Sequence, residues 1–236
     1  MGFLGKKLLL IIPIIVIVSS IIVIQNLPKK ERYMYMDDVS ISVDDVTVFE
    51  DDIRNETASK KWMTSASSKY AHTTDEVYHS PPSSFALRCS ESKNEETGIL
   101  YPKITINSGW SKLNVSWFVK IPEEALLGSE IRQDLSLFFM ERGEGRLRLG
   151  CVISLSEESN RIWATAVYFG DQAPPIFDDE QEVDFDFTRW HRLTLVLEKP
   201  LVIIYFDDTI VCDFPIYTEY LARDIDFRWW AYFHDG

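Results

Sequence analysis

Alternating carboxylates at positions 182–186 are the residues of this sequence with the clearest capacity for chemistry. Glu182, Asp184 and Asp186 are spaced by two residues. Successive side chains of a β-strand point to opposite faces, so a strand here would aim all three carboxylates at one side. Two carboxyl groups that face one groove can act as general acid and general base, or as acid and nucleophile. The chemistry therefore depends on which strand carries them and what that strand faces.

Other reactive residue types give weaker signals. The histidines form no i, i+4 or His-x-His pair, so neither a zinc site nor a Ser-His-Asp site is predicted; they are His72, His79, His191 and His234. His191 is predicted on the solvent face of its strand. The sequence has no Cys-x-x-Cys spacing and no glycine-rich phosphate loop. The cysteines each fall in a predicted strand and are interpreted as small buried residues; they are Cys89, Cys151 and Cys212.

An apolar segment at residues 8–27 predicts an N-terminal membrane anchor. About 20 apolar residues suffice for a helix to cross a bilayer core, and this run reaches that length. It is longer than the apolar region of a signal peptide, and no small-x-small cleavage site follows it. We therefore predict a short cytoplasmic tail over 1–7, a transmembrane anchor over 8–27, a tether with a first strand over 28–45, and a folded domain over 46–236.

The charge of the chain indicates which partners to expect. The whole chain has a net charge of −13, and residues 33–236, with 19 basic against 36 acidic residues, carry −17. So acidic a domain is a poor partner for nucleic acid. The N-glycosylation acceptors Asn55 and Asn114 are compatible with an exterior location. We predict a single-pass protein of the cell membrane whose large domain is extracellular.

The segment Trp190–Val211 fixes the predicted fold class. Leu193, Leu195 and Leu197 alternate with other residues, as in a half-buried strand, and Lys199-Pro200 ends that run. A β-branched and aromatic strand follows, and Asp207-Asp208 then suits a two-residue hairpin turn. Further strands are predicted over 46–49, 84–89, 98–106, 112–121, 134–140, 147–154, 162–169, 183–187 and 227–233, with short helices at 123–127 and 218–222. This pattern predicts an all-β sandwich of two antiparallel sheets.

The sequence resembles the concanavalin A-like lectin/glucanase superfamily, whose domains are jelly-roll sandwiches. Three stretches carry the resemblance, and together they span about 48–215: Val48-Phe-Glu-Asp-Asp52 with Trp62 and Tyr78–Arg88, then Leu113–Lys120, then the hairpin region of Trp190–Val211. One departure is the segment Tyr35–Ile41, which is similar to a strand that usually closes such domains. Our hypothesis is that it takes the place of a last strand beside Arg228–Phe233, as in a permuted jelly roll; an ordinary edge strand is the alternative.

The resemblance implies where catalysis would lie and what is missing from that place. Laminarinase-type members carry Glu-x-Asp-x-x-Glu on one strand, with a nucleophile and an acid/base among the acids. Here Glu182 and Asp184 begin the pattern, but position 187 is Phe. We therefore interpret the segment as a solvated acidic strand or loop. The prediction is a membrane-anchored, non-catalytic domain for carbohydrate binding or adhesion. The alternatives are a glycan-active hydrolase or lyase and a structural surface domain that binds a protein partner.

The resemblance also implies candidate binding residues. A structural Ca²⁺ in such domains often lies between the opening segment and an Asp-Asp-Val strand, which here predicts Asp38, Glu50 and Asp51 as ligands. Sugars in these folds stack on exposed aromatic rings beside polar groups. The carbohydrate-binding candidates are Trp163, Tyr168, Arg146, Arg148 and Trp230.

Overall fold

The computed structural model describes most of the chain after residue 31. The described residues are 32–53, 60–64, 71–88, 99–102, 104, 106, 109–126, 130–141, 144–156, 158–169, 176–221 and 224–234. All of them belong to one unit of the chain, 32–236. The predicted anchor at 8–27 lies outside these residues. No helix among the described residues is long and apolar enough to span a bilayer.

Strands make up nearly all of the regular structure. In chain order they are β1 Tyr33–Val43, β2 Val46–Asp51, β3 Trp62–Thr64, β4 Ala71–Thr74, β5 Ser84–Arg88, β6 Ile99–Pro102, β7 Lys112–Lys120, β8 Glu130–Glu141, β9 Glu144–Leu155, β10 Asn160–Tyr168, β11 Phe177–Glu182, β12 His191–Glu198, β13 Leu201–Phe206, β14 Thr209–Pro215 and β15 Asp224–His234. Short 3₁₀ turns occupy Glu123–Ala125 and Thr218–Tyr220.

The first sheet has the strand order β14-β13-β12-β7-β1-β5-β4, with β2 also paired to β1. The region around the Trp190–Val211 segment forms its β12, β13 and β14, as predicted, and these strands pair antiparallel. Asp207 and Asp208 form the tight turn between β13 and β14 with φ of 46° and 67°. Aspartate tolerates this left-handed backbone better than most residues do, and this explains the residue choice at the turn.

The second sheet has the strand order β11-β10-β9-β8-β15-β6-β3 and is also antiparallel. It packs on the first sheet through one apolar core, to which each long strand contributes every second side chain. On β7, for example, Leu113, Val115, Trp117 and Val119 are buried and the residues between them are half-exposed. The prediction of an all-β sandwich of two antiparallel sheets is confirmed.

The segment Tyr35–Ile41 does not fill the predicted place beside the last strand. It belongs to β1, which lies between β5 and β7 in the first sheet, whereas β15 pairs with β6 and β8 in the second. The permutation hypothesis is therefore wrong. The buried pattern of β1, with Met34, Met36, Val39 and Ile41 all in the core, explains its interior position.

Two further expectations differ from the structure. Residues 183–187 form a loop, and the strand of this region, β11, comes earlier at Phe177–Glu182. His191 is fully buried rather than solvent-facing. Its Nδ1 lies 2.8 Å from Asp207 Oδ2, and its Nε2 accepts the Asp186 N–H at 3.1 Å. The ring thus fastens the loop before β12 to the β13–β14 turn.

Asp44 ties the β1–β2 turn to the start of β7 and supplies a prediction on pH. Its Oδ1 accepts hydrogen bonds from Ser111 Oγ at 2.7 Å, Ser111 N at 2.8 Å and Lys112 N at 2.9 Å. These bonds, above all the one from the Ser111 side chain, hold the pKa of Asp44 below its ordinary value. A lowered pKa stabilises the fold above the ordinary aspartate range, and that stabilisation is lost as the pH falls through the lowered value.

We expect Asp44→Asn to lower the thermal midpoint at pH 7, because a neutral amide accepts these bonds less strongly. The difference from wild type should shrink as the pH falls through the lowered pKa of Asp44, where the folded carboxylate takes up its proton. Thermal melts across this range check the prediction, with Asp45→Asn as the matched control in the same turn. A difference that persists in acid would contradict it.

Candidate functional site

The outer face of the second sheet, opposite to the core, carries a groove. It is a pocket of about 600 Å³. Its lining residues come from four adjacent strands, β8 to β11, and are Asp134, Arg148, Val152, Trp163, Thr165, Val167, Asp178, Asp179 and Glu180. We call this pocket the groove. No single strand carries all of the lining residues. The pairing register of the four strands places them side by side.

The register explains how residues far apart in sequence meet. Asp134 on β8 pairs with Val152 on β9, Val152 pairs with Trp163 on β10, and Trp163 pairs with Glu180 on β11. These residues thus form one line across four strands, with the indole between the two carboxylates. Gly150 on β9 leaves room beside this line, because a Cβ there would lie 3.0 Å from the Thr165 methyl carbon.

Asp134 is the most perturbed acid of the groove. It is 1% exposed, and it receives hydrogen bonds from Arg148 Nη2 to Oδ2 at 2.6 Å and from Ser136 Oγ to Oδ1 at 2.7 Å. Arg148 Nε also donates to Ser136 Oγ at 2.9 Å. Burial raises the pKa of Asp134 above its ordinary value, although Arg148 and Ser136 both act to lower it. Asp134 therefore holds its proton to higher pH than an exposed aspartate.

The other side of the groove is more open. Glu180 is exposed and pairs with Arg161 Nη1 at 2.5 Å. Asp178 is exposed, and within the described part of the chain no hydrogen bond or ion pair involves its carboxylate. Between the two sides, the Arg132 guanidinium lies 4.5 Å from the centre of the Trp163 ring. The Arg132 guanidinium thus covers one face of the Trp163 ring in a cation–π contact.

The structure brings only some of the predicted sugar-binding residues together. Trp163 and Arg148 line the groove. Tyr168 lies on the core side of β10 and is buried, with its hydroxyl accepting the Tyr217 N–H at 3.1 Å, so it does not share the face of Trp163. Arg146 lies on β9 two residues before Arg148, and Trp230 pairs with Asp134 in the register, but their side chains are outside the described part of the structure.

The acidic segment 182–186 lies outside the groove. Glu182 ends β11, an edge strand, and Asp184 and Asp186 lie in the exposed loop that follows. The Asp186 carboxylate accepts bonds from Thr188 Oγ1 at 2.6 Å and Thr188 N at 2.9 Å, and these lower its pKa. This carboxylate therefore shapes a turn.

Asp134 was missed by the sequence reasoning, although a signal was present. Asp134 and Ser136 alternate with the apolar residues Leu135 and Leu137 in a predicted strand, and Arg148 lies in the polar phase of the next predicted strand. A charged residue in the outward phase of each strand of one hairpin predicts a pair on the outer face. The burial of that pair depends on Trp163 and β11, and no local pattern reveals it.

The predicted calcium ligands do lie near one another. Asp38, Glu50 and Asp51 line a second pocket with Ser40, Asp52 and Lys61. Several of their oxygens are already engaged, however: Lys61 Nζ donates to the backbone oxygen of Glu50 and to Asp51 Oδ1, and Asp38 Oδ2 bonds to His79 and Ser80. In the described part of the chain no group of three or more His, Cys, Asp or Glu residues is arranged to hold a metal ion. These residues therefore do not fit a calcium site.

Comparison with known proteins gives structural matches only. No protein-family model and no curated protein sequence matches the chain. A GH16 protein of a Bacteroides ovatus mixed-linkage glucan PUL, solved with a product, matches with a TM-score of 0.56 at 10% identity, over 74% of this chain and 81% of its own. A family 16 endo-glucanase from Bacteroides ovatus matches with a TM-score of 0.54 at 9% identity, over 87% and 82%. A κ-carrageenase from Pseudoalteromonas carrageenovora, solved with an oligosaccharide, matches with a TM-score of 0.50 at 10% identity, over 89% and 85%.

These matches correct the functional prediction and settle the fold. The predicted non-catalytic domain for carbohydrate binding or adhesion is contradicted, because the similar structures are mostly glycoside hydrolases. The resemblance inferred from Val48-Phe-Glu-Asp-Asp52, Leu113–Lys120 and Trp190–Val211 is confirmed at the level of the fold. The folded domain of this chain is a jelly-roll β-sandwich of the concanavalin A-like type.

Proposed function

We propose that this domain is a glycan-active hydrolase whose catalytic groove lies on the outer face of β8–β11. The observation that carries the proposal is Asp134, a buried carboxyl group with a raised pKa at the wall of a groove that also holds Trp163 and further carboxylates. Perturbed acids in a pocket are typical of catalytic sites. The glycoside hydrolases of the same fold support a polysaccharide as the substrate.

Asp134 is suited to the role of general acid. Glycoside hydrolysis needs one carboxyl group that is still protonated when the substrate binds, so that it can protonate the oxygen of the leaving sugar. The raised pKa of Asp134 favours its protonated form more than that of an exposed aspartate. Arg148 and Ser136 hold its two oxygens and so fix the direction of the carboxyl group. Arg148 is therefore a positioning residue that also limits how far the pKa rises.

Asp178 is suited to the role of the second carboxylate. It is exposed and, among the described residues, has no hydrogen-bond or ion-pair partner, so its oxygens are available to take a proton from water. The water oxygen then bonds to the anomeric carbon as the glycosidic bond breaks.

A hydrolysis assay tests the proposal. The full-length protein is incubated with mixed-linkage β-glucan, β-1,3-glucan and κ-carrageenan, and new reducing ends are measured. We expect release from at least one of these polymers. A protein that unfolds cooperatively on heating, and is thus folded, but releases no reducing ends from any of them would overturn the proposal.

A further inference from the structure

Lys61 occupies the pocket that the fold resemblance assigns to calcium. Its Nζ lies 2.6 Å from the backbone oxygen of Glu50 and 3.2 Å from Asp51 Oδ1. These are a carbonyl and a carboxylate oxygen, the ligand types that a calcium ion takes. An ammonium group donates up to three hydrogen bonds and can satisfy such oxygens with a single charge.

The surrounding bonds leave Asp51 little capacity for a metal. Asp51 is 1% exposed. Its Oδ2 accepts the Trp62 Nε1–H at 2.5 Å, and its Oδ1 accepts the Ile53 N–H at 3.2 Å in addition to Lys61. Calcium needs six to eight oxygens. A divalent cation bound to the same two oxygens as Lys61 would lie within about 4 Å of the ammonium and would be repelled by it.

Asp38, the third predicted ligand, is also committed elsewhere. Its Oδ2 lies 2.6 Å from His79 Nδ1 and accepts the Ser80 hydroxyl at 2.6 Å. His79 in turn stacks on Phe118, with ring centres 3.7 Å apart. The carboxylate is therefore held toward the 79–80 turn by two donors, and moving it to a metal would break both bonds.

We propose that the Lys61 ammonium takes the place of a structural calcium ion, so that the stability of this domain does not depend on calcium. Lys61 joins the end of β2 to the start of β3. The next residue, Trp62, packs in the core against Phe49 at 5.3 Å and Trp229 at 5.6 Å between ring centres. The partly exposed Lys61 ammonium thus links a short strand, and its buried tryptophan, to the end of β2 in the first sheet.

Thermal unfolding of the full-length chain tests the proposal. The wild-type midpoint should be the same in millimolar CaCl₂ and in EDTA, and calorimetry should detect no calcium binding. Lys61→Met should lower the midpoint by about 3–6 °C, since it leaves the buried Asp51 with one charged partner fewer. Lys60→Met is the matched control, because Lys60 is the exposed neighbour, and its midpoint should stay at the wild-type value.

Two results would overturn the proposal. One is a wild-type midpoint that rises with calcium and falls with EDTA, which would show that a metal binds and stabilises the fold. The other is a Lys61→Met midpoint equal to that of Lys60→Met, which would show that the ammonium contributes nothing particular to its position. The readout is stability alone, so the outcome does not depend on whether the groove hydrolyses glycans.

Discussion

Asp134→Asn is expected to lower kcat by at least about 100-fold on the glycan that the wild-type protein cleaves. A positioned general acid contributes roughly 10² to 10⁴ in rate. The amide has no acidic proton to give to the leaving oxygen, so that contribution is lost. The fold should persist, because the asparagine oxygen can accept from Arg148 and its amide can donate to Ser136 Oγ, in place of the bonds seen now. Initial rates of reducing-end release measure the effect.

Glu182→Gln is the matched control for this loss. Glu182 is an exposed carboxylate at the end of β11, outside the groove, and it begins the acidic segment that resembles the laminarinase-type pattern. Its rate should stay within about two-fold of wild type. Equal losses in the two variants, or full activity in Asp134→Asn, would remove Asp134 from the mechanism. A loss of activity in Glu182→Gln alone would indicate that the acidic segment at 182–186, and not Asp134, carries the catalytic residues.

The pH dependence of kcat gives a second readout of Asp134. A general acid works only while protonated, so activity should fall as the pH rises through the pKa of Asp134 in the complex. Arg148 lowers that pKa through its charge, against the larger effect of burial. Arg148→Met should therefore move the alkaline limb of the profile to higher pH. A limb that stays in place would show that another group controls it.

The fold could be predicted from the sequence to a large extent because its signals are local. The alternation of Leu193, Leu195 and Leu197 and the Asp207-Asp208 turn depend only on neighbouring residues, and both predictions are confirmed. The partners of β1 are not local information. They depend on which strands, distant in the sequence, pair in the folded chain. The similarity of Tyr35–Ile41 to a closing strand therefore gave a wrong prediction of its sheet.

The groove could be predicted only in part for the same reason. Trp163 and Arg148 stand out by residue type and strand phase, and the structure places both in the groove. Asp134 acquires its raised pKa from burial, which depends on the alignment of β8, β9, β10 and β11. That alignment joins residues separated by as many as 46 positions, from Asp134 to Glu180. His191 was misplaced because Phe185 and Phe206, which cover it, come from separate segments.

Trp229→Ala is expected to cost about 3–5 kcal/mol in the free energy of unfolding. Trp229 is fully buried on β15. Its ring meets Trp62 at 5.6 Å, Trp117 at 6.3 Å and Phe227 at 6.3 Å between ring centres. It therefore joins the second sheet to β7 of the first through Trp117, and alanine would leave a cavity between them. Urea unfolding followed by circular dichroism measures the loss.

Phenylalanine substitutions at Trp229 and at Trp117 separate the contribution of ring packing to stability from that of the indole hydrogen bond. Among the described residues, the Trp229 Nε1–H has no acceptor, whereas the Trp117 Nε1–H donates to the buried Gln133 Oε1 at 3.2 Å. Both changes remove a similar volume, but only Trp117→Phe leaves a buried acceptor unpaired, at a cost of about 1–3 kcal/mol. Trp117→Phe should therefore destabilise the fold more than Trp229→Phe by about that amount. Equal losses would mean that ring packing alone sets the stability at this junction of the two sheets.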